Sequence, residues 1–197
     1  GANEAPPAII SVYLGDMLTD VIDTIMNGVT HKPGRTSMEI GVSSLPPLPV
    51  DLSDRNRTSP FAFTGNKFEF RMLGSNASIA GPNTVLNTIV AESLKVFADQ
   101  LEVAEDKELT IKKLIKKNVT KHARIIFNGN NYSDEWVAEA EHRGLLNLKS
   151  TIDALPYFVS DKNIKLFTEH GIYTKAEMLS RLEINYENYS KTINIEA

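Results

Sequence analysis

The spacing of apolar positions along this chain changes near residue 81. Before that point the apolar runs are short and mostly of period two; after it the spacing is close to 3.6. Residues 36–42 alternate, with Met38, Ile40 and Val42 on one side, and predict a strand. Residues 60–72 predict a hairpin. Phe61 and Phe63 lead into the turn signal Thr64-Gly65-Asn66, and Phe68-Glu69-Phe70-Arg71-Met72 leads out. Alternation gathers Phe68, Phe70 and Met72 on one face, expected in the core. Lys67, Glu69 and Arg71 fall on the other, expected to meet water or a polar cavity. One helix interrupts this region: Met17, Val21, Ile22 and Ile25 share a face within residues 16–26, and Gly28 stands where a C-terminal cap belongs. Pro6-Pro7, Pro46-Pro47 and Pro49 fix backbone angles and remove amide donors, so their segments are expected to be extended or turning.

Beyond Gly81 the helical spacing takes over. Gly81-Pro82-Asn83 opens a long helix, since proline suits a first turn. Val85, Ile89, Leu94, Phe97 and Leu101 are expected to form its core-facing stripe. Residues 108–122 predict a second helix with Ile111, Leu114, Ile115 and Val119 on its apolar side. Ile125-Ile126-Phe127 runs into the turn Asn128-Gly129, and Ser133 followed by Asp134 and Glu135 reads as an N-cap and an acidic first turn. Two or three more helices follow, ending in the polar segment 175–191. The whole predicts a helix-rich α+β chain with a few antiparallel strands near residues 36–72. Residues 1–104 hold the strands and the long helix, and 105–197 form a helical C-terminal region.

Composition narrows the function classes. Hydrophobic residues at 42% and charged residues at 23% are ordinary globular values and exclude wholesale disorder. The net charge of −4 argues against general nucleic-acid binding. With no cysteine there is neither a disulfide framework nor thiolate chemistry. No apolar run approaches the ~20 residues a membrane helix needs, and the expected compartment is the cytoplasm.

Self-contained catalytic motifs are absent. His31, His122, His142 and His170 lack metal-ligand spacing, and neither a Gly-rich phosphate loop nor a G-x-S-x-G elbow occurs. What remains is a set of separated pieces: Gly1-Ala2-Asn3-Glu4-Ala5-Pro6, Asn56-Arg57-Thr58-Ser59 and Lys67-Phe68-Glu69-Phe70-Arg71. Each has a bland reading as a loop carboxylate, a turn brace and the wet face of an amphipathic strand. Together and in this order they resemble the C-terminal part of the catalytic domain of a bacterial type III glutamine synthetase. The run Asn56-Arg57-Thr58-Ser59-Pro60-Phe61-Ala62-Phe63-Thr64-Gly65-Asn66-Lys67-Phe68-Glu69-Phe70-Arg71 is close to a signature of that branch.

The resemblance implies a fragment of an enzyme that ligates ammonium to L-glutamate using ATP through a γ-glutamyl phosphate, with Mg2+ or Mn2+. It places Glu69 at a metal-binding glutamate and Arg71, two residues on and so on the same face, at the arginine that meets the reacting carboxylate. Arg57 matches an arginine contacting nucleotide phosphate and glutamate, and Lys67 a phosphate-contacting basic residue. Glu4 matches a flap glutamate that takes a proton from ammonium and shields the acyl phosphate from water. The chain also departs from the family. Ala62 stands where a second arginine is usual, and Tyr132 is only a nearby candidate for the regulatory adenylylated tyrosine. The remaining metal ligands and an arginine for glutamate are expected upstream of Gly1, so the isolated chain is expected to be inactive. Its implied partners are that upstream part of the same polypeptide and a homo-oligomeric ring, with no nucleic acid and no membrane. The rival reading uses the basic helix 108–124, where Lys112-Lys113-Leu114-Ile115-Lys116-Lys117 runs on to Lys121, His122 and Arg124. In that reading the chain is a helical interaction or nucleic-acid-binding module.

Overall fold

The structure, a computed structural model, describes residues 9–28, 37–38, 48–49, 59–64, 66–71 and 78–196. Seven α-helices and two small sheets are seen among them, and the helix-rich α+β expectation holds. The chain separates into two compact units: residues 1–75 with 108–147, and residues 76–107 with 148–197. Each draws on both sides of the division expected near residue 104.

The first unit is built on a three-stranded sheet, β1 (Val12–Tyr13), β4 (Phe61–Phe63) and β5 (Phe68–Phe70), in the order β1-β4-β5. β4 and β5 form the expected hairpin, with Phe61 opposite Phe70, Ala62 opposite Glu69 and Phe63 opposite Phe68. The turn closes through the Thr64 amide, which donates to the Lys67 carbonyl at 2.8 Å. β1 is the unexpected member and runs parallel to β4, with Tyr13 beside Ala62. Val12 also bridges to Ile126, and the Phe127 amide donates to the Val12 carbonyl at 2.9 Å. A second, two-stranded antiparallel sheet joins β2 (Ser37–Met38) to β3 (Leu48–Pro49). The rest of the strand expected over 36–42 lies outside the described residues.

Helix α1 (Gly15–Asn27) ends as its sequence dictates. Gly28 takes φ 69°, a left-handed conformation that costs glycine little, and its amide reaches the Thr24 carbonyl. Its start is capped from afar. The amides of Leu14 and Gly15 donate to Asn128 Oδ1 at 3.0 and 3.2 Å, and Asn128 Nδ2 donates to Thr19 at 2.8 Å. No local pattern could have shown this cap.

The core of the unit gathers Ile9, Trp136 and Ala140, with Phe127, Val137 and Leu145 packed around them. Phe127 stacks on Trp136 with centroids 3.7 Å apart. Gly129 permits that placement, since a Cβ there would lie 2.7 Å from the Phe127 ring. Trp136 rides on α4 (Asp134–His142), whose N-cap Ser133 accepts from the Trp136 amide, as its sequence predicted. Arg143, just past that helix, donates to the carbonyls of Arg124 and Ile126, while its Nε meets Glu139 at 2.6 Å. Helix α3 (Lys107–His122) turns Leu114 inward at 8% exposure and leaves Ile111 and Ile115 exposed.

The second unit contains α2 (Ala80–Glu102), α5 (Thr151–Phe158), α6 (Asp161–Glu169) and α7 (Lys175–Glu196). Phe167 and Met178 are buried, and the Phe167 ring packs against Phe158 and Tyr173. The stripe expected to face the core from α2 does so only in part, at the half-buried Phe97 and Leu101. Val85, Ile89 and Leu94 are exposed, and Thr88 is the buried residue. The reason is that apolar residues surround this helix, so hydrophobicity singles out no face. The face that packs includes Thr88, whose hydroxyl is satisfied by the Thr84 carbonyl at 2.7 Å, and Glu92, which meets His170 at 2.8 Å. The α7 start is a reciprocal cap. Thr174 accepts from the Glu177 amide, and the Glu177 carboxylate accepts from the Thr174 amide and hydroxyl. No described helix is long and apolar enough to cross a membrane.

Candidate functional site

Alternation along β5 sets the site. The register puts Ala62 and Glu69 on one face of the hairpin and the four phenylalanines on the other. Burial corrects the expectation about those faces. Phe68, expected in the core, is 47% exposed, and Phe70 is only half-buried. The rings shelter one another instead: Phe68 stacks on Phe61 at 5.4 Å and lies 5.2 Å from Phe63. The fully buried side chain of the hairpin is Ala62, on the charged face. Backing by β1 encloses it, since Tyr13 lies beside it in register.

On that face the structure brings together three of the five predicted residues. Glu69 Oε2 accepts from Arg71 Nε at 3.3 Å and from Nη2 at 3.0 Å, so both nitrogens of the fork converge on one oxygen. The other oxygen, Oε1, meets Lys67 Nζ at 3.2 Å and accepts from the Thr64 hydroxyl at 3.2 Å. Arg71 itself is fixed at its backbone, where its amide donates to the Pro60 carbonyl at 2.7 Å. Exposure falls from Lys67 at 65% through Glu69 at 37% to Arg71 at 27%, so the cluster opens to solvent at its lysine end. Thr64 is the member that sequence reasoning missed; its only signal was its place in the turn Thr64-Gly65-Asn66.

The Arg71 guanidinium, first, and the Lys67 ammonium, second, hold the Glu69 carboxyl below the usual carboxylate range. It is therefore an anion at neutral pH. Lys67 and Arg71 thus approach Glu69 from its two oxygens, and the carboxylate holds both cations on this face. Glu4 and Arg57, the other two predicted site residues, lie outside the described residues.

A divalent cation of the Mg2+ type seeks about six oxygen ligands. Among the described residues no group of three His, Asp or Glu side chains could hold a metal. Glu69 brings one carboxylate, and each of its oxygens already faces a cation. The described donors do not fit a metal by themselves.

Residues 110–197 match the glutamine synthetase C-terminal domain family. Over its whole length the chain is similar to a type-3 glutamine synthetase of Dictyostelium discoideum, at 51% identity, and covers 27% of that protein. It is also similar throughout to glutamine synthetases of Butyrivibrio fibrisolvens, at 45% identity, and Bacteroides fragilis, at 38%, covering 28% of each. The chain thus spans little more than a quarter of the length of these relatives.

Proposed function

We propose that this chain, whose residues 110–197 match the glutamine synthetase C-terminal domain family, contributes part of the site of an ATP-dependent glutamate–ammonia ligase. The observation that supports this most is the Lys67–Glu69–Arg71 cluster, a preformed charged group on the face of the hairpin that carries the buried Ala62. The reaction moves the γ-phosphoryl group of ATP to the glutamate side-chain carboxylate, and ammonia then displaces phosphate. Negative charge builds where two anions meet, so fixed cations at that point lower the barrier.

In this reading Arg71 binds the reacting carboxylate or the transferring phosphoryl oxygen. Glu69 orients its fork in advance, so little reorganisation is needed when charge develops. Lys67, at the open end, takes a phosphate oxygen. Arg57 supplies a further cation to nucleotide and glutamate, and Glu4 removes a proton from ammonium. Mg2+ or Mn2+ supplies neutralisation of phosphate charge in such chemistry. Glu69 would be one ligand of such an ion only together with carboxylates from outside the described residues.

The 197-residue chain by itself is then a contributor rather than a catalyst, since its described residues offer a single carboxylate at this face. The test is phosphate release from ATP that depends on both glutamate and ammonium. The complete polypeptide carrying this chain should show it, and the 197-residue chain alone should not. Glutamine formation by the chain alone would refute the division of the site. A complete polypeptide that releases phosphate without regard to glutamate would refute the ligase reading itself.

A further inference from the structure

Residues 64–66 read in the sequence only as a turn, but the strand register gives Thr64 a place on the charged face of the hairpin. β4 ends at Phe63, opposite Phe68, and the Thr64 amide carries the pairing one step further by donating to the Lys67 carbonyl at 2.8 Å. Alternation then sets Thr64 on the side of Ala62, diagonal to Glu69 across the pair. From that position its hydroxyl reaches Glu69 Oε1 at 3.2 Å. A hydroxyl has one proton to give. The Lys67 carbonyl, at 3.5 Å, is the farther acceptor and is neutral, so the proton goes to the carboxylate.

The two partners of Oε1 differ in how firmly they are placed. Lys67 arrives on a long, flexible side chain that is 65% exposed, and an ion pair of that kind fixes little. Thr64 is half-buried, its backbone is pinned by the turn bond, and its branched Cβ restricts χ1. The Glu69 carboxylate needs such a partner, because the terminal torsion of glutamate is broad and sets no plane by itself. With Oε1 held by Thr64, Oε2 is turned toward Arg71, where it accepts from Nε at 3.3 Å and from Nη2 at 3.0 Å. Behind Arg71 and Lys67, the Thr64 hydroxyl also helps to hold the Glu69 carboxyl low. All four side chains lie within residues 64–71, so one hairpin contains the whole series of contacts.

We propose that Thr64 is a positioning residue for the ligase reaction: its hydroxyl sets the Glu69 carboxylate, and through it the orientation of the Arg71 guanidinium. This role rests on the reading of Arg71 as the group that meets the reacting oxygens. Thr64 acts through Glu69 and not on those oxygens. Removing the hydroxyl leaves both charges in place but lets the carboxylate turn, and the fork turns with it. The cost is that of misplacement, smaller than the loss of the guanidinium itself. It falls on the step in which charge develops, so it appears in kcat rather than in the binding of ATP.

The test is made in the complete polypeptide with Thr64→Val, which keeps the shape and removes the hydroxyl, and Thr64→Ser, which keeps the hydroxyl. Thr64→Val should lower kcat for glutamine formation about tenfold and change KM for ATP by less than about twofold. Thr64→Ala, a second variant without the hydroxyl, should match it. Thr64→Ser should return to within about threefold of the parent kcat. Arg71→Ala and the double variant Thr64→Val, Arg71→Ala complete a cycle. With no fork left to hold, Thr64→Val should add less than about twofold to the loss. Unchanged Trp136 fluorescence in each variant shows that the unit is intact. Parental kcat in Thr64→Val overturns the positioning role, as does a Thr64→Ser enzyme no better than Thr64→Val. A loss confined to KM, or full multiplication of the two losses in the double variant, overturns it as well. Parental kcat in Arg71→Ala instead overturns the reading of Arg71, and this role falls with it.

Discussion

The hydroxyls of Ser11 and Ser59 tie the site-bearing hairpin to the body of its unit, and their removal should be unequal in a specific way. Both side chains are fully buried. Ser11 donates to Ser59 at 2.7 Å, and Ser59 donates onward to the Phe127 carbonyl at 3.0 Å. Ser59 immediately precedes Pro60 and β4, whose partner strand carries Glu69 and leads to Arg71. Ser11→Ala deletes the first donor and leaves the second bond intact, a loss of about 1 kcal/mol. Ser59→Ala strands both neighbours, a buried hydroxyl and a carbonyl, and should cost about 2–3 kcal/mol. In the double variant the Ser11 hydroxyl is no longer stranded. The double variant should therefore fall short of the sum of the singles by roughly 1 kcal/mol. Trp136 is the only tryptophan and is 1% exposed, so its fluorescence reports this unit. With a urea slope of about 2 kcal/mol per molar, Ser59→Ala should lower the unfolding midpoint by about 1 M and Ser11→Ala by about half that. A Ser11→Ala loss as large as that of Ser59→Ala, or strict additivity in the double, would refute the relay.

Other outcomes follow from the same structure. Trp136→Ala removes the largest buried side chain and its stack on Phe127, and should cost about 3–5 kcal/mol in a urea titration followed by circular dichroism. The Glu69 carboxyl, held low by Arg71 and Lys67, should titrate below an ordinary glutamate in carboxyl-carbon NMR, and its hold on Arg71 should persist at neutral pH and be lost only as pH falls through that lowered value. Arg71→Gln should move the titration back up. The Glu177 carboxyl, lowered chiefly by the Thr174 amide, stabilises the start of α7 above the ordinary glutamate range and ceases to do so as pH falls through its own value. Amide exchange in the first turn of α7 should therefore speed up in acid, and Glu177→Gln should flatten that dependence.

Locally encoded features could be read from the sequence. Gly28 ends α1 and Ser133 caps α4 because each acts within a few residues of itself. Thr64-Gly65-Asn66 turns the hairpin for the same reason, and alternation alone put Lys67, Glu69 and Arg71 on one face. Features that depend on distant partners could not be read. β1 is two residues long, too short to show a period, and exists because Val12 lies between Phe61 and Ile126. Asn128 caps a helix that begins 113 residues earlier, and Arg143 clamps the segment that bridges to β1. The departures share a cause: apolar character does not by itself decide burial on α2 or on the aromatic face of β5. There Val85, Ile89, Leu94 and Phe68 stay exposed, while Thr88 and Ala62 are buried.

The central claim is that the Arg71 fork, held by Glu69, stabilises charge that forms during phosphoryl transfer, and one kinetic comparison tests it. In the complete polypeptide, Arg71→Ala and Arg71→Lys are compared with the parent for glutamine formation at saturating ATP, glutamate and ammonium. Loss of a positioned charged donor should lower kcat by about 100-fold or more with a much smaller change in KM for ATP. Lysine should restore only a small part, because its single ammonium cannot reproduce the planar fork that Glu69 holds. An Arg71→Ala enzyme with parental kcat would contradict the account.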